Sequence, residues 1–324
     1  MHIYRHCRLC PRNCGADRLN GYKGYCGETG ELRIAAASIH RGEEPPVTGT
    51  GGSGTIFITG CNLGCTFCQN HQISQNGMGK TVSQDEFVRI CLALQEQKAE
   101  NINIVTGSHA VPALVEGIAL ARSQGLALPV LWNSSGYESL EALSLLEDTI
   151  DIYLPDLKTL DKVIAGRFFN APDYPEHAQK AIIRMMETRR LRFKPVRGTH
   201  TAPAVSGVII RHLVLPAYLE ATRDVLCWFA EYARDRALLS LMTQYTPVKQ
   251  AGIDRHLNEK EYKRILQWLE EFGIEDGFYQ ELTPDTGWLP DFNRQNPFSS
   301  ELSTPIWHWK TPEGAIPVHN TGND

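Results

Sequence analysis

Apolar positions through the middle of the chain fall into two alternating kinds of run. Short stretches rich in Val, Ile, Leu and aromatics have the length and composition of buried strands: TIFITGC, NINIVTG, PVLWNSS, IDIYLPDLK, VSGVIIRHLVLP and ALLSLMTQY. Between and after them, apolar residues recur at three- and four-residue spacing, the mark of helices with one buried face: SQDEFVRICLALQEQKA, VPALVEGIALARSQG, ESLEALSLLED, PEHAQKAIIRMMETRR, AYLEATRDVLCWFAEYARD and NEKEYKRILQWLEEFG. Ser83 and Asn258 stand where N-caps belong, each ahead of an acidic first turn, and Gly125 and Gly273 suit helix ends. Six strand–helix units imply a parallel sheet. Strands this continuously apolar are covered on both faces, which favours a barrel-like or doubly wound α/β sheet over a sandwich.

The units span residues 54–282. Ahead of them, residues 1–53 form a Cys- and Gly-rich module, and behind them residues 283–324 are rich in Pro, Trp and Asn without periodicity. This last segment carries Trp288, Phe292, Phe298, Trp307 and Trp309, too many aromatics for a free tail, so it reads as an ordered arm against the core or a partner.

Composition narrows the picture further. With 42% hydrophobic and 21% charged residues over 324 positions the chain can bury a large core. No apolar run reaches about 18 residues and MHIYRHCRLC lacks a signal-peptide core, so a cytoplasmic location without a membrane is expected. Nine cysteines in that reducing setting point to metal rather than a disulfide framework. A net charge of −5 argues against a large nucleic-acid surface, and the basic run from Arg184 to Lys194 reads as a solvated helix face.

The chemistry concentrates in GCNLGCTFCQN, Gly60 to Asn70, where Cys61, Cys65 and Cys68 follow a C-x3-C-x2-C spacing directly behind the first strand. In parallel α/β sheets ligands bind at the carboxyl ends of strands. Iron–sulfur cubanes and structural zinc normally take four protein ligands, so three leave one metal position open for a substrate or cofactor.

With Phe67 just before its third cysteine, CNLGCTFC resembles the CxxxCxxC motif of the radical SAM superfamily. The resemblance implies a partial (β/α)6 barrel of the TIM type and a [4Fe-4S] cluster on Cys61, Cys65 and Cys68. It further implies that the fourth iron chelates S-adenosylmethionine, and that reductive cleavage yields a 5′-deoxyadenosyl radical that abstracts hydrogen. NINIVTGSHAVP, NSSGYESL, DIYLPDLK, RHLVLP, SLMTQYTP and FYQEL extend the similarity over most of residues 7–282, to the branch resembling pyruvate formate-lyase activating enzymes that begins with CxxCPRxCG.

That branch implies further site residues. After the second strand Thr106, Gly107, Ser108 and His109 stand where activating enzymes carry a GGEP-like turn for the cofactor's amino end, here without its acid. Asn133, Ser134 and Ser135 replace an acidic turn after the third. Asp156 and Lys158 match a D-x-K by the cofactor and the incoming polypeptide, and strand alternation sets them on one face. Arg211 is expected at the cofactor carboxylate or ribose with His212 nearby, though only one can face the interior; Gln244 and Tyr245 suit the adenine, the substrate or the core. The implied activity is activation of a glycyl radical enzyme, with a flavodoxin- or ferredoxin-type electron donor. The alternatives are radical modification of another protein, a small molecule or RNA, and a non-catalytic metal-binding protein.

Cys7, Cys10, Cys14 and Cys26 follow C-x2-C-x3-C-x11-C, with Gly21, Gly24 and Gly27 among them. Four thiols suffice for a closed site, and zinc or a second iron–sulfur cluster satisfies the count equally. Cys91 and Cys227 lie on apolar helical faces and are expected in the core.

Overall fold

In the computed structural model, residues 2–195, 202–282 and 289–312 are described. The strands are β1 (Arg33–His40), β2 (Ser53–Ile58), β3 (Lys80–Thr81), β4 (Ile102–Val105), β5 (Val130–Ser134), β6 (Ile152–Pro155), β7 (Arg192–Phe193), β8 (Ala204–Leu213), β9 (Leu238–Met242), β10 (Gly277–Tyr279) and β11 (Ser303–His308). Neighbours run β10-β9-β8-β6-β5-β4-β2-β1-β11, with β3 on β1 and β7 on β8. From β2 through β9 to β10 every pairing along this path is parallel. The ends do not meet, so the sheet is a partial barrel of (β/α)6 type.

The six expected strands are all present, and the expected helices follow them. Ser83 accepts from the Glu86 amide at 3.1 Å, and Asn258 closes a reciprocal capping box with Glu261. Two features go beyond the strand–helix reading. A helix over Lys162–Phe169, capped by Asp161, intervenes after β6. Antiparallel strands from both flanks also extend the sheet: β1 from within residues 1–53 pairs with β2, and β11 from the C-terminal arm pairs with β1. Trp307 is buried and donates to Glu86 at 3.0 Å, which anchors the arm; Trp288 lies outside the described residues.

Strand alternation sorts the core into two faces. Val130, Trp132, Tyr153, Val208 and Ile210 join the large cluster shared with the helices. Leu131, Ile152, Leu154 and Ile209 point the other way, where Val47 from the short helix Pro45–Thr48 fills the barrel interior. Cys91 is buried as expected. Cys227 is exposed, because it falls on the outer side of Leu219–Tyr232, whose inner side is made by Val225, Leu226, Trp228 and Phe229. Among the described residues no helix is long and apolar enough to cross a membrane.

Candidate active site

The first parallel strand delivers its loop to the carboxyl end of the sheet through a turn that only glycine suits. Gly60 has φ +88°, and a Cβ there would lie 2.4 Å from Glu28 Cγ and 2.9 Å from the Cys26 carbonyl. The Cys61 amide donates to that same carbonyl at 3.3 Å, so the N-terminal module is seated directly on the loop. Arg12 fastens it further, donating to the carbonyls of Asn62 and Leu63 at 2.9 Å and of Phe169 at 2.7 Å. Arg18, fully buried, donates to the carbonyls of Thr29 and His109.

Within the loop the Leu63 amide donates to Cys61 Sγ at 3.3 Å, and Cys68 Sγ lies 3.3 Å from the Ser74 hydroxyl. Burial pushes the Cys65 thiol up strongly, against the pull of Lys158, and Cys68 and Cys61 push it further. Cys68 is raised by burial and by Cys61, against its bond with Ser74. Buried thiols raised in this way, Cys65 and Cys68, need a cation beside them to be held as thiolates. Phe67 is buried in an aromatic group, with Phe168 and Phe169 each 5.8 Å and Tyr245 6.4 Å from its ring centre, and so walls the loop on its inner side.

The other strand ends contribute unequally. Asp156 and Lys158 form an ion pair at 2.6 Å, largely screened from water. Burial lowers the Lys158 ammonium, but Asp156 and Cys65 outweigh it and hold the side chain charged. Thr106 has φ +64°, a strained conformation for a β-branched residue, and leads into Gly107, where a Cβ would lie 2.6 Å from the Trp132 ring. Ser108 donates to Glu138 Oε1 at 2.6 Å, tying this turn to the one after β5. Asn133 faces the interior and accepts from Arg211 at 3.4 Å. Ser134 receives the Gly136 amide at 3.2 Å, while the buried Ser135 hydroxyl has no partner among the described residues.

Arg211 also points inward, where it is already engaged. Its guanidinium is bonded by Glu43 and, at 2.7 Å, by Glu44, which also receives the Ser240 hydroxyl at 2.7 Å. Glu44 is depressed despite burial because Arg211 stands against it. His212 lies on the opposite face, bonded to the Leu157 carbonyl at 2.7 Å and to Thr222 at 3.0 Å, and does not join these groups. His109 turns toward the Thr59 carbonyl at 2.8 Å; burial and Arg18 push it down to about 3, so it is a neutral tie between two strand ends. Tyr245 donates to the Ile253 carbonyl, and Gln244 bonds the chain at Gln280 and Glu281.

In the N-terminal module burial pushes Cys10 up to about 12, with Cys26 and Cys7 adding to it, and burial also raises Cys26 against the pull of Arg18. Cys14 Sγ and Cys26 Sγ both flank Gly24, where a Cβ would lie 3.3 and 3.4 Å from them. Among the described residues no group of three or more His, Cys, Asp or Glu side chains is gathered as a metal site.

Sequence reasoning passed over Glu43, Glu44, Glu138, Arg12 and Arg18. The first two sit in the acidic stretch RGEEPP, which reads as solvated, and Glu138 reads as an ordinary helix start. The two arginines had a signal in their place between the module's cysteines.

Residues 55–208 match the radical SAM superfamily. This segment carries a radical SAM domain. Such a domain implies a [4Fe-4S] cluster and S-adenosylmethionine, and a three-thiolate loop with hydrogen-bond donors at two sulfurs and an ammonium beside the third fits such a cluster. An uncharacterized protein of Methanocaldococcus jannaschii is 28% identical over 284 residues, covering 84% of this chain and 77% of that protein. Among solved structures, a domain of a pyruvate-formate lyase-activating enzyme from Bacteroides vulgatus is 16% identical, with TM-score 0.37 over 53% of this chain and 91% of that domain. A radical SAM methyltransferase from Sphaerobacter thermophilus is 15% identical, with TM-score 0.47 over 70% of this chain and 66% of that protein.

Proposed function

We propose that this radical SAM enzyme removes a hydrogen atom from a glycine of a partner polypeptide and so activates a glycyl radical enzyme. The observation that carries the reading is the Asp156–Lys158 pair beside Cys65, at the place where activating enzymes meet the cofactor and the incoming polypeptide. When bound, the cluster supplies one-electron cleavage of the S-adenosylmethionine sulfonium and hence a hydrogen-abstracting radical. Cys61, Cys65 and Cys68 would hold it. The Leu63 amide and Ser74 hydroxyl would stabilise two of the thiolates, and the Lys158 charge would offset the third. The Phe67 aromatic group excludes water from one side of the loop, which protects a reactive species. The strained Thr106 turn and Asn133 present polar atoms for the cofactor's amino and carboxylate groups. Arg211 acts there only by exchanging Glu43 or Glu44 for a ligand carboxylate.

A second reading, a compact small-molecule substrate, is favoured by the C-terminal arm. Phe292 packs on Phe57 with ring centres 5.4 Å apart and joins Ile73 of the helix that follows the third cysteine, so the chain itself covers this flank. Anaerobic reconstitution, reduction and addition of S-adenosylmethionine test both. Formation of 5′-deoxyadenosine together with a glycyl EPR doublet on a glycyl radical enzyme of the same organism supports the activase. Formation of 5′-deoxyadenosine with no doublet, and deuterium transfer from a labelled small molecule instead, overturns it.

A further inference from the structure

The N-terminal module differs in charge from the rest of the chain. Residues 1–27 hold five Lys and Arg against one Asp, a net +4, whereas the remaining residues hold 27 against 36, a net −9. Arg18 is buried and Arg12 is committed to the cysteine loop, which leaves Arg5, Arg8 and Lys23 exposed. None of these three forms an ion pair among the described residues. Exposed aromatics accompany them: Tyr22 is 68% exposed and Tyr25 44%. Unpaired cations with aromatics on a chain that is otherwise acidic form an orienting surface for a negatively charged partner.

The position of this surface matters as much as its charge. Tyr25 stacks under the Arg12 guanidinium at 3.8 Å, and its hydroxyl would stand 3.4 Å from a Cβ on Gly64, inside the three-cysteine loop. Arg12 and the Cys26 carbonyl are in turn bonded to that loop. A protein that covers Tyr25 is therefore one layer of side chains from the loop whose cysteines would carry the cluster. We propose that this face of the N-terminal module is the docking site for an acidic electron-transfer protein that reduces the cluster. The proposal rests on the radical SAM reading. In the step, one electron leaves the reduced donor, which is oxidised by one, and enters the cluster, which is reduced by one; no bond is made or broken.

The test compares the full-length reconstituted protein with the variant Arg5→Glu/Arg8→Glu/Lys23→Glu, using a reduced acidic flavodoxin as donor and dithionite as a small reductant that needs no docking. The expected result is flavodoxin-driven reduction slowed about 10-fold or more at low ionic strength, converging with wild type as salt rises, while the dithionite rate is unchanged. Oxidised flavodoxin should also bind the wild-type protein more tightly than the variant in calorimetry. Equal flavodoxin rates and affinities, or equal slowing with both reductants, overturn the proposal. The milder Arg8→Gln/Lys23→Gln pair, which removes charge without adding any, should show the same effect at smaller size and covers a misfolded triple variant. Absence of any cluster after reconstitution is seen before a donor is added, and overturns the radical SAM reading itself.

Discussion

Gly60→Ala tests how the N-terminal module and the cysteine loop are joined. The substitution does two things at once. It forces an L-residue to hold φ +88°, at a cost of about 1–2 kcal/mol, and it drives a methyl to 2.4 Å from Glu28 Cγ and 3.1 Å from His109 Nε2, an overpacking worth about 1–3 kcal/mol. The expected total is about 2–5 kcal/mol. Gly125→Ala supplies the control, because Gly125 also has positive φ (+103°) but nothing stands within 4 Å of the added Cβ. It should lose only the conformational part. Urea denaturation of the two variants and wild type, done anaerobically on metal-free protein, gives both free energies, and their difference isolates the steric clash. Iron content after reconstitution should fall in Gly60→Ala and not in Gly125→Ala. Equal destabilisation of the two variants would refute the idea that the module is wedged against this turn.

Four further outcomes follow from the same structure. Lys158→Met leaves Asp156 without its ion-pair partner in a site largely screened from water and should cost about 3 kcal/mol, most of it recovered when Asp156→Asn is added; denaturation of the single and double variants checks this. Phe292→Ala removes a fully buried ring from the pocket formed with Phe57 and Ile73, and should cost about 3–5 kcal/mol and speed proteolysis of the arm. Glu261→Gln should cost about 0.5–1 kcal/mol at pH 7, since it removes the charge that pairs with Arg255 and faces the helix N-terminus, while Gln can still close the capping box. Hydrogen bonding to Arg255 holds the Glu261 carboxyl at about 2 in the folded chain, against about 4.3 unfolded. A depressed folded pKa stabilises above the unfolded value and loses its effect as pH falls toward 2, so the melting-temperature gap between wild type and Glu261→Gln should close across that window.

The parallel core was legible because its signals are local. Each strand carries its own apolar run, each helix its own periodicity and cap, and the three cysteines sit on one short loop. The edges were not, because β1 meets β11 only across more than 250 residues of chain, and the alanine-rich RIAAASIH lacks the bulky apolar run that marks the other strands. The helix Lys162–Phe169 hid behind a mid-helix glycine and β-branched residues that weaken its pattern. At the site, alternation predicted that Arg211 and His212 must part, and they do. That Arg211 would find two carboxylates waiting could not be read from RGEEPP, since charge burial depends on where the chain folds rather than on the residues themselves. His109 and Ser108 illustrate the same limit, because their partners Thr59 and Glu138 arrive from other loops.

The central claim is that Cys61, Cys65 and Cys68 hold a cluster with one iron free for S-adenosylmethionine. EPR of the reduced, anaerobically reconstituted protein with and without that cofactor tests it most directly, with Cys65→Ser and Cys91→Ser beside wild type so that any signal from the four N-terminal cysteines is separated. The account predicts a [4Fe-4S] signal that changes shape on adding the cofactor in wild type and Cys91→Ser and is lost in Cys65→Ser. A cluster signal that ignores the cofactor, or one that survives Cys65→Ser unaltered, would contradict it.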